Sequence, residues 1–232
     1  MLDHVICQIR PNYDAALTEY NRLLEQKSAV LRDWKETPSL RDILPEYNTR
    51  MIQVGALLIS YRARFLKALS ECAAEFQREF SGGAETLTLE YQTVSTIDDI
   101  FAPPERLREL LLEHQTAHER AELESGMCLS GPHKDDFEAR LNGLPVAQFA
   151  SQGQMRTATI SIKLAERELM RRDCGEYPVL LLDDVLSELD AGRQDFVLNQ
   201  LKSGQVFITC CETNRLTSLG QVLRIENGSV LE

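Results

Sequence analysis

Between Tyr13 and Trp34 the apolar side chains fall at positions 13, 16, 17, 20, 23, 24, 30, 31 and 34, the spacing of one helical face. Pro11-Asn12 supplies a start for that helix and Thr37-Pro38 a stop. Ser39 and Asp42 have the spacing of a capping box, which predicts the opening of a second helix. Its apolar positions run through Tyr47, Met51, Val54, Leu58, Tyr61, Phe65, Leu69, Cys72, Phe76 and Phe80 in steps of three and four. That rhythm is the seam of a helix packed along another helix. Ser81-Gly82-Gly83 ends it. Leu87-Thr88-Leu89-Glu90-Tyr91 alternates apolar with polar, which predicts a half-buried strand near 86–93. Pro104 opens a third helix that closes near Gly126. Residues 1–125 thus read as an elongated helical arm.

The pattern changes over residues 126–232. Phe137, Ala139 and Leu141 alternate into Asn142-Gly143, followed by Val146 and Phe149, which predicts a hairpin with a two-residue turn. A helix follows from about Gln152 to Arg172, with Met155, Thr159, Ile162 and Leu169 on its apolar face. Pro178 to Leu182 is a continuous apolar run, the mark of a strand buried on both faces, and it ends in Asp183-Asp184. A helix over Ala191–Lys202, a second buried strand over Gln205–Cys210 and a hairpin around Asn227-Gly228 complete the chain. Strands alternating with helices imply an α/β arrangement, a sheet covered by helices.

Charge narrows the partners. With 25 basic and 36 acidic side chains the 232-residue chain carries a net charge of −11, and both halves have an acidic excess. A generic nucleic-acid binder needs surplus Lys and Arg against phosphate, so any such contact must use a local patch or depend on a ligand or partner. Arg62, Arg64 and Lys67 form one cluster, and Arg167, Arg171 and Arg172 another; on charge alone both read as solvated helix faces. No apolar run reaches the length of a membrane span, and the N-terminus lacks signal-peptide features. Six cysteines without metal-ligand spacing fit a cytosolic protein with reduced thiols.

Two features carry chemistry. Ser151-Gln152-Gly153-Gln154 opens a helix with capping-box spacing, and Gly153 lets a ligand approach the backbone. A helix N-terminus offers free N–H groups and a positive dipole end to an anion such as phosphate, although most such starts merely cap. Asp183-Asp184 follows an apolar strand, where a carboxylate can serve Mg²⁺ and a neighbour can orient a water; acidic pairs also occur there simply as turn residues.

The order SQGQ, VLLLDD and then Ser187-Glu188-Leu189-Asp190 resembles the signature, Walker B and D-loop of ABC-type ATPases. The fuller string, Gly131-Pro132-His133-Lys134-Asp135-Asp136 upstream of ASQGQMRT and LLLDDVLSELD, resembles the RecF family of bacterial recombination repair. In the first half LDHV, Tyr13 and Tyr20, RLLEQKSAVL and ETLTLEYQ are similar to that family's helical arm. The resemblance implies the C-terminal half of an ABC-type ATPase head over 126–232, with the arm over 1–125. It further implies ATP with Mg²⁺ as cofactors and a head-to-tail homodimer in which Ser151, Gln152, Gly153 and Gln154 meet ATP in trans. Asp183 would hold Mg²⁺, Asp184 would be the catalytic carboxylate, and Ser187 and Asp190 would sit at the dimer seam. Cys211 lies nearest the position of the switch His of many ABC ATPases, and His133 is either a local loop residue or part of a polar network near the nucleotide.

The family's P-loop, G-x-x-x-x-G-K-[ST], is the main departure. No Gly-Lys dipeptide occurs in the chain, and Pro132-His133 follows the one suitable glycine pair, Gly126 and Gly131. The expectation is a chain holding the arm and the C-terminal half of the head without the P-loop lobe. The resemblance implies ATP-controlled binding to duplex, gapped or single-stranded DNA and recombinase loading with RecR and RecO partners. The alternatives are another chromosome-maintenance ATPase of the SMC or Rad50 kind, whose coiled coils are far longer, and a non-enzymatic partner-docking fragment.

Overall fold

The computed structural model describes residues 2–186, 189–201, 203–210, 220–226 and 228–231. The chain forms two compact units, Met1–Cys174 and Gly175–Glu232. The first unit holds helices α1 (Leu2–Ile9), α2 (Pro11–Asp33), α3 (Leu44–Phe80) and α4 (Pro104–Ser125), with strand β1 (Leu87–Gln92) between the last two. Strands β2 (Asp136–Leu141) and β3 (Leu144–Pro145), the short helix α5 (Val146–Phe149) and helix α6 (Gln152–Cys174) complete it. The second unit holds β4 (Leu180–Asp183), α7 (Ala191–Gln200), β5 (Val206–Thr209), β6 (Arg224–Glu226) and β7 (Ser229–Leu231).

Helix α3 is the spine of the first unit. Its 37 residues reach about 55 Å at the rise of an α-helix, and α2, α4, β1 and α6 all pack on it. Tyr13 and Tyr20 from α2 interlock with Leu58, Leu66 and Leu69 from α3, while Ala158, Ile162 and Ala165 approach from α6. The helices end where local chemistry stops them. Pro11 stands in the first turn of α2, and Gly126 takes the left-handed conformation that closes α4. The expected capping box at Ser39 and Asp42 is not formed. Residues Pro38–Ile43 wind into a 3₁₀ turn that runs directly into α3, so no separate side-chain cap is made there.

Strand β1 pairs antiparallel with β2 along its whole length, from Leu87 opposite Leu141 to Gln92 opposite Asp136. Buried Leu87 and Leu89 need that neighbour to close the core beneath them. The division expected at 125/126 therefore falls inside one sheet and one unit, and the boundary between the units lies after Cys174. Asn142 and Gly143 turn with positive φ, as a two-residue hairpin loop requires. The hairpin itself is shorter than expected: β3 has two residues, and Val146–Phe149 is helical with only Val146 buried. On α6 the buried face runs through Thr157, Ala158, Ser161, Ile162 and Leu169, whereas Met155 and Thr159 are exposed.

In the second unit β4 and β5 are parallel neighbours, with Leu182 opposite Ile208. Burial on both faces was expected of β4. Instead Leu182 is buried while Val179, Leu181 and Phe207 are exposed, because the described residues cover only one face of the pair. Strands β6 and β7 form a separate antiparallel pair; Asn227 of the expected turn lies outside the described residues. No described helix is long and apolar enough to cross a membrane.

Candidate functional site

The start of α6 is a reciprocal capping box. The Ser151 N–H donates to Gln154 Oε1 at 2.9 Å, and the Gln154 N–H donates to Ser151 Oγ at 3.3 Å. The first helical bond runs from the Met155 N–H to the Ser151 carbonyl. A helix leaves its first four N–H groups without intrahelical partners. The N–H groups of Gln152 and Gly153 make no hydrogen bond among the described residues, and Ser151 and Gln152 are exposed. Two free donors, a hydroxyl and the dipole's positive end therefore face solvent where a phosphate can be received. The capping box read from the spacing of Ser151 and Gln154 is formed.

In the second unit Asp183 ends β4 directly opposite Thr209 of β5. The Thr209 hydroxyl donates to Asp183 Oδ1 at 2.6 Å and accepts the Asp184 N–H at 2.9 Å. Asp184 occupies the left-handed region, φ 51°, so the chain turns sharply off the strand and both carboxylates stand exposed. Such a backbone is uncommon outside glycine, though Asp tolerates it better than most residues. Thr209 is not singled out by the sequence pattern; its one signal there is a hydroxyl residue near the end of the strand that follows Asp183-Asp184. Mg²⁺ is commonly bound by one or two carboxylates together with phosphate oxygens and waters, not by an all-protein cage. Asp183 fits that role: Thr209 engages one of its two oxygens, and no cluster of three or more His, Cys, Asp or Glu exists among the described residues.

Asp190 caps α7: its Oδ1 accepts the Arg193 N–H at 3.0 Å, and its Oδ2 pairs with the Arg193 guanidinium. Gln194 holds the turn before α7 by donating to the carbonyls of Leu186 and Leu189. Ser187 and Cys211 lie outside the described residues.

His133 is tied into the first unit. Its Nε2 donates to the Cys128 carbonyl at 3.2 Å, which leaves Nδ1 to accept from the Tyr20 hydroxyl at 2.8 Å. Burial pushes its pKa below the ordinary histidine value and keeps the ring neutral. The basic clusters are not simply solvated faces. Arg62 is buried, donating to the Pro132 carbonyl at 2.6 Å and forking onto Asp3 at 2.8 Å, and Arg167 is buried too. Arg171 and Arg172 pair with Glu168, and Lys67 lies over the Phe101 ring. Gly126 and Gly131, which carry P-loop spacing, serve as the α4 cap and as a close-approach position under Tyr20.

A helix opened by Ser-Gln-Gly-Gln, a parallel strand pair whose first strand ends in two carboxylates, and a long helical arm define an ABC-type ATPase fold, represented here by its C-terminal half. Comparisons with known proteins agree. The chain is 34% identical over 231 residues to the DNA replication and repair protein RecF of Acetivibrio thermocellus, covering 98% of this chain and 62% of that protein. It is 36% identical over 209 residues to RecF of Clostridium kluyveri, covering 90% and 56%. A solved structure of the recombination mediator protein RecF-ATPrS in the RecFOR pathway superposes with a TM-score of 0.86 at 32% identity, covering 99% of this chain and 61% of that one. A RecF-ATP structure gives 0.84 at 33% identity, covering 93% and 57%. No family model matches. The chain is RecF-like over nearly all of its length and spans about three-fifths of the length of the relatives it matches.

Proposed function

We propose that this chain works in DNA replication and repair as the arm and signature-bearing part of a RecF-like, ATP-controlled DNA-binding protein. The observation that carries the reading is the start of α6: a capped helix end with unpaired Gln152 and Gly153 N–H groups, in a chain whose relatives include RecF solved with ATP. In this reading Ser151, Gln152, Gly153 and Gln154 receive the γ-phosphate of an ATP held by a second subunit, and two subunits close head to tail. Asp183 would hold Mg²⁺, whose charge offsets that of the phosphates. Asp184 would act as the base toward the attacking water; being one methylene shorter than Glu, it suits slow turnover. Ser187 and Asp190 would line the seam. Closure would bind DNA at gaps and pass recombinase to single strands with RecO and RecR mediators, in the cytoplasm. The 1–125 arm and the 126–232 head remain the functional division of this proposal.

One observation favours a narrower reading for the polypeptide by itself. It contains no G-x-x-x-x-G-K-[ST] motif, so it has no P-loop with which to hold ATP in cis. As an isolated chain it would dock partners without hydrolysing ATP.

Ser151→Arg tests the trans arrangement in a protein where a relative's P-loop lobe precedes this chain. A long cation at the helix start opposes the dipole and fills the phosphate's space. Loss of the cap alone costs about 1 kcal/mol, so the monomer stays folded. ATP should still bind the monomer, while ATP-driven dimerisation measured by light scattering disappears. Normal dimerisation would make Ser151 a helix cap only.

A further inference from the structure

The turn after α3 places a carboxylate against the signature residues. Glu85 Oε1 accepts from Gln154 Nε2 at 2.9 Å, and Glu85 Oε2 accepts from Gln77 Nε2 at 2.7 Å. Gln77, on α3, is fully buried, and its Oε1 accepts from the buried Ser161 hydroxyl of α6 at 2.9 Å. The Ser81 hydroxyl accepts the Glu85 N–H at 3.0 Å and fixes the turn. The direction of every bond in this chain is set. A carboxylate only accepts, so Gln154 must turn its NH₂ toward Glu85. Its carbonyl oxygen then faces the Ser151 N–H and completes the capping box. A flipped Gln154 amide would aim NH₂ hydrogens at that N–H, two donors without an acceptor. The Glu85 carboxylate fixes the Gln77 amide in the same way, which leaves Gln77 Oε1 to accept from the Ser161 hydroxyl.

We infer that Glu85 is a positioning residue of the nucleotide site: relayed from Gln77, its carboxylate sets the orientation of the Gln154 amide and thereby the geometry of the Ser151 helix start. The inference deepens the proposed function, and its bearing on ATP rests on that reading. It also makes the far end of the arm's long helix the seat of the signature, since Gln77 lies one turn from the C-terminus of α3. Displacement of that helix end moves the acceptor on which Gln154 depends.

The test needs no nucleotide. In ¹⁵N–¹H spectra of the whole chain, Glu85→Met, which removes the acceptor, should move the Ser151 amide and the Gln154 and Gln77 side-chain resonances. It should also speed exchange of the Ser151 amide by about fivefold to tenfold, the change that losing one hydrogen bond of ordinary strength allows. The reciprocal pair, Glu85→Gln with Gln154→Glu, should restore it. The amide introduced at position 85 then donates to the carboxylate introduced at 154, which accepts the Ser151 N–H as in a Ser-x-x-Glu box. Gln154→Glu alone sets two carboxylates face to face and should not be protected. Should Glu85→Met unfold the chain, Glu85→Asp, too short to reach both amides, should show intermediate exchange. Unchanged Ser151 exchange in the single variant, or no rescue in the double, overturns the inference. Because ATP is absent, that failure is separate from failure of the Ser151→Arg test.

Discussion

Thr209 and Asp183 face each other across two parallel strands, and the threonine hydroxyl donates to the carboxylate at 2.6 Å. The same oxygen receives the N–H of Asp184, the residue in the left-handed turn. One hydroxyl thus holds the Asp183 carboxylate and the Asp184 backbone, the two acidic residues that the proposed mechanism uses. Thr209→Val keeps the shape and removes both bonds. It should destabilise the second unit by about 1 kcal/mol, a fall in melting temperature of roughly 4–8 °C for a unit of this size. Thr209→Ser should behave like the parent. A valine variant with unchanged unfolding would mean that the hydroxyl does not hold the turn in solution.

The charges of Lys27 and Glu122 are both almost fully buried and meet at 2.6 Å. Gln115 bridges them, and Glu122 Oε1 receives the N–H groups of Leu129 and Ser130. Burial pushes the Glu122 pKa up, but Lys27, Gln115 and the Leu129 N–H outweigh it and hold the carboxyl below its ordinary 4.5. Lys27→Met leaves a buried carboxylate without its cation and should cost about 3–5 kcal/mol. Adding Glu122→Gln should recover part of that loss, so the two changes should be less than additive in denaturant titrations.

The same pair sets an acid limit. A lowered folded pKa contributes stability that is present above the unfolded value and lost as pH falls through the folded one. Unfolding titrations from pH 6 downward should therefore show a loss below the ordinary carboxylate range of about pH 4. In the double variant that part of the slope should be missing; an unchanged slope would assign the acid sensitivity to other carboxylates.

Gly131 sits at φ +123° with the Tyr20 hydroxyl where a Cβ would lie. Gly131→Ala must strain the backbone and push Tyr20 off His133, and should cost more than about 1 kcal/mol. Tyr20→Phe, which removes only the hydroxyl, should cost less because it leaves room at Gly131. A neutral Gly131→Ala would show that the loop can shift without disturbing the helices beneath it.

Periodicity located α2, α3, β1 and α6, because each carries an apolar face whose repeat no other element accommodates, while Pro104 and Gly126 marked α4. Proline and glycine positions marked several ends for equally local reasons: a missing N–H at Pro11, a tolerated positive φ at Gly126. The capping box at Ser151 and Gln154 was legible because both partners lie within one turn. What failed locally, the box at Ser39 and Asp42, lost to a 3₁₀ turn continuous with α3.

Pairings distant in sequence were decided only by the tertiary structure. Arg62 reads as one member of a basic helix face, yet packing buries it where Asp3, the Tyr13 hydroxyl and the Pro132 carbonyl satisfy its guanidinium. Gln77 and Ser161, 84 positions apart, look like ordinary polar helix residues until α3 and α6 close over them. Thr209 gains its meaning from a strand register that no local pattern encodes. Each is a polar group taken out of water, where an unmet hydrogen bond costs far more than it does on a surface, and its partner is chosen by whichever elements come together. Element types and boundaries follow from neighbours along the chain; which polar groups act on one another follows from the packing.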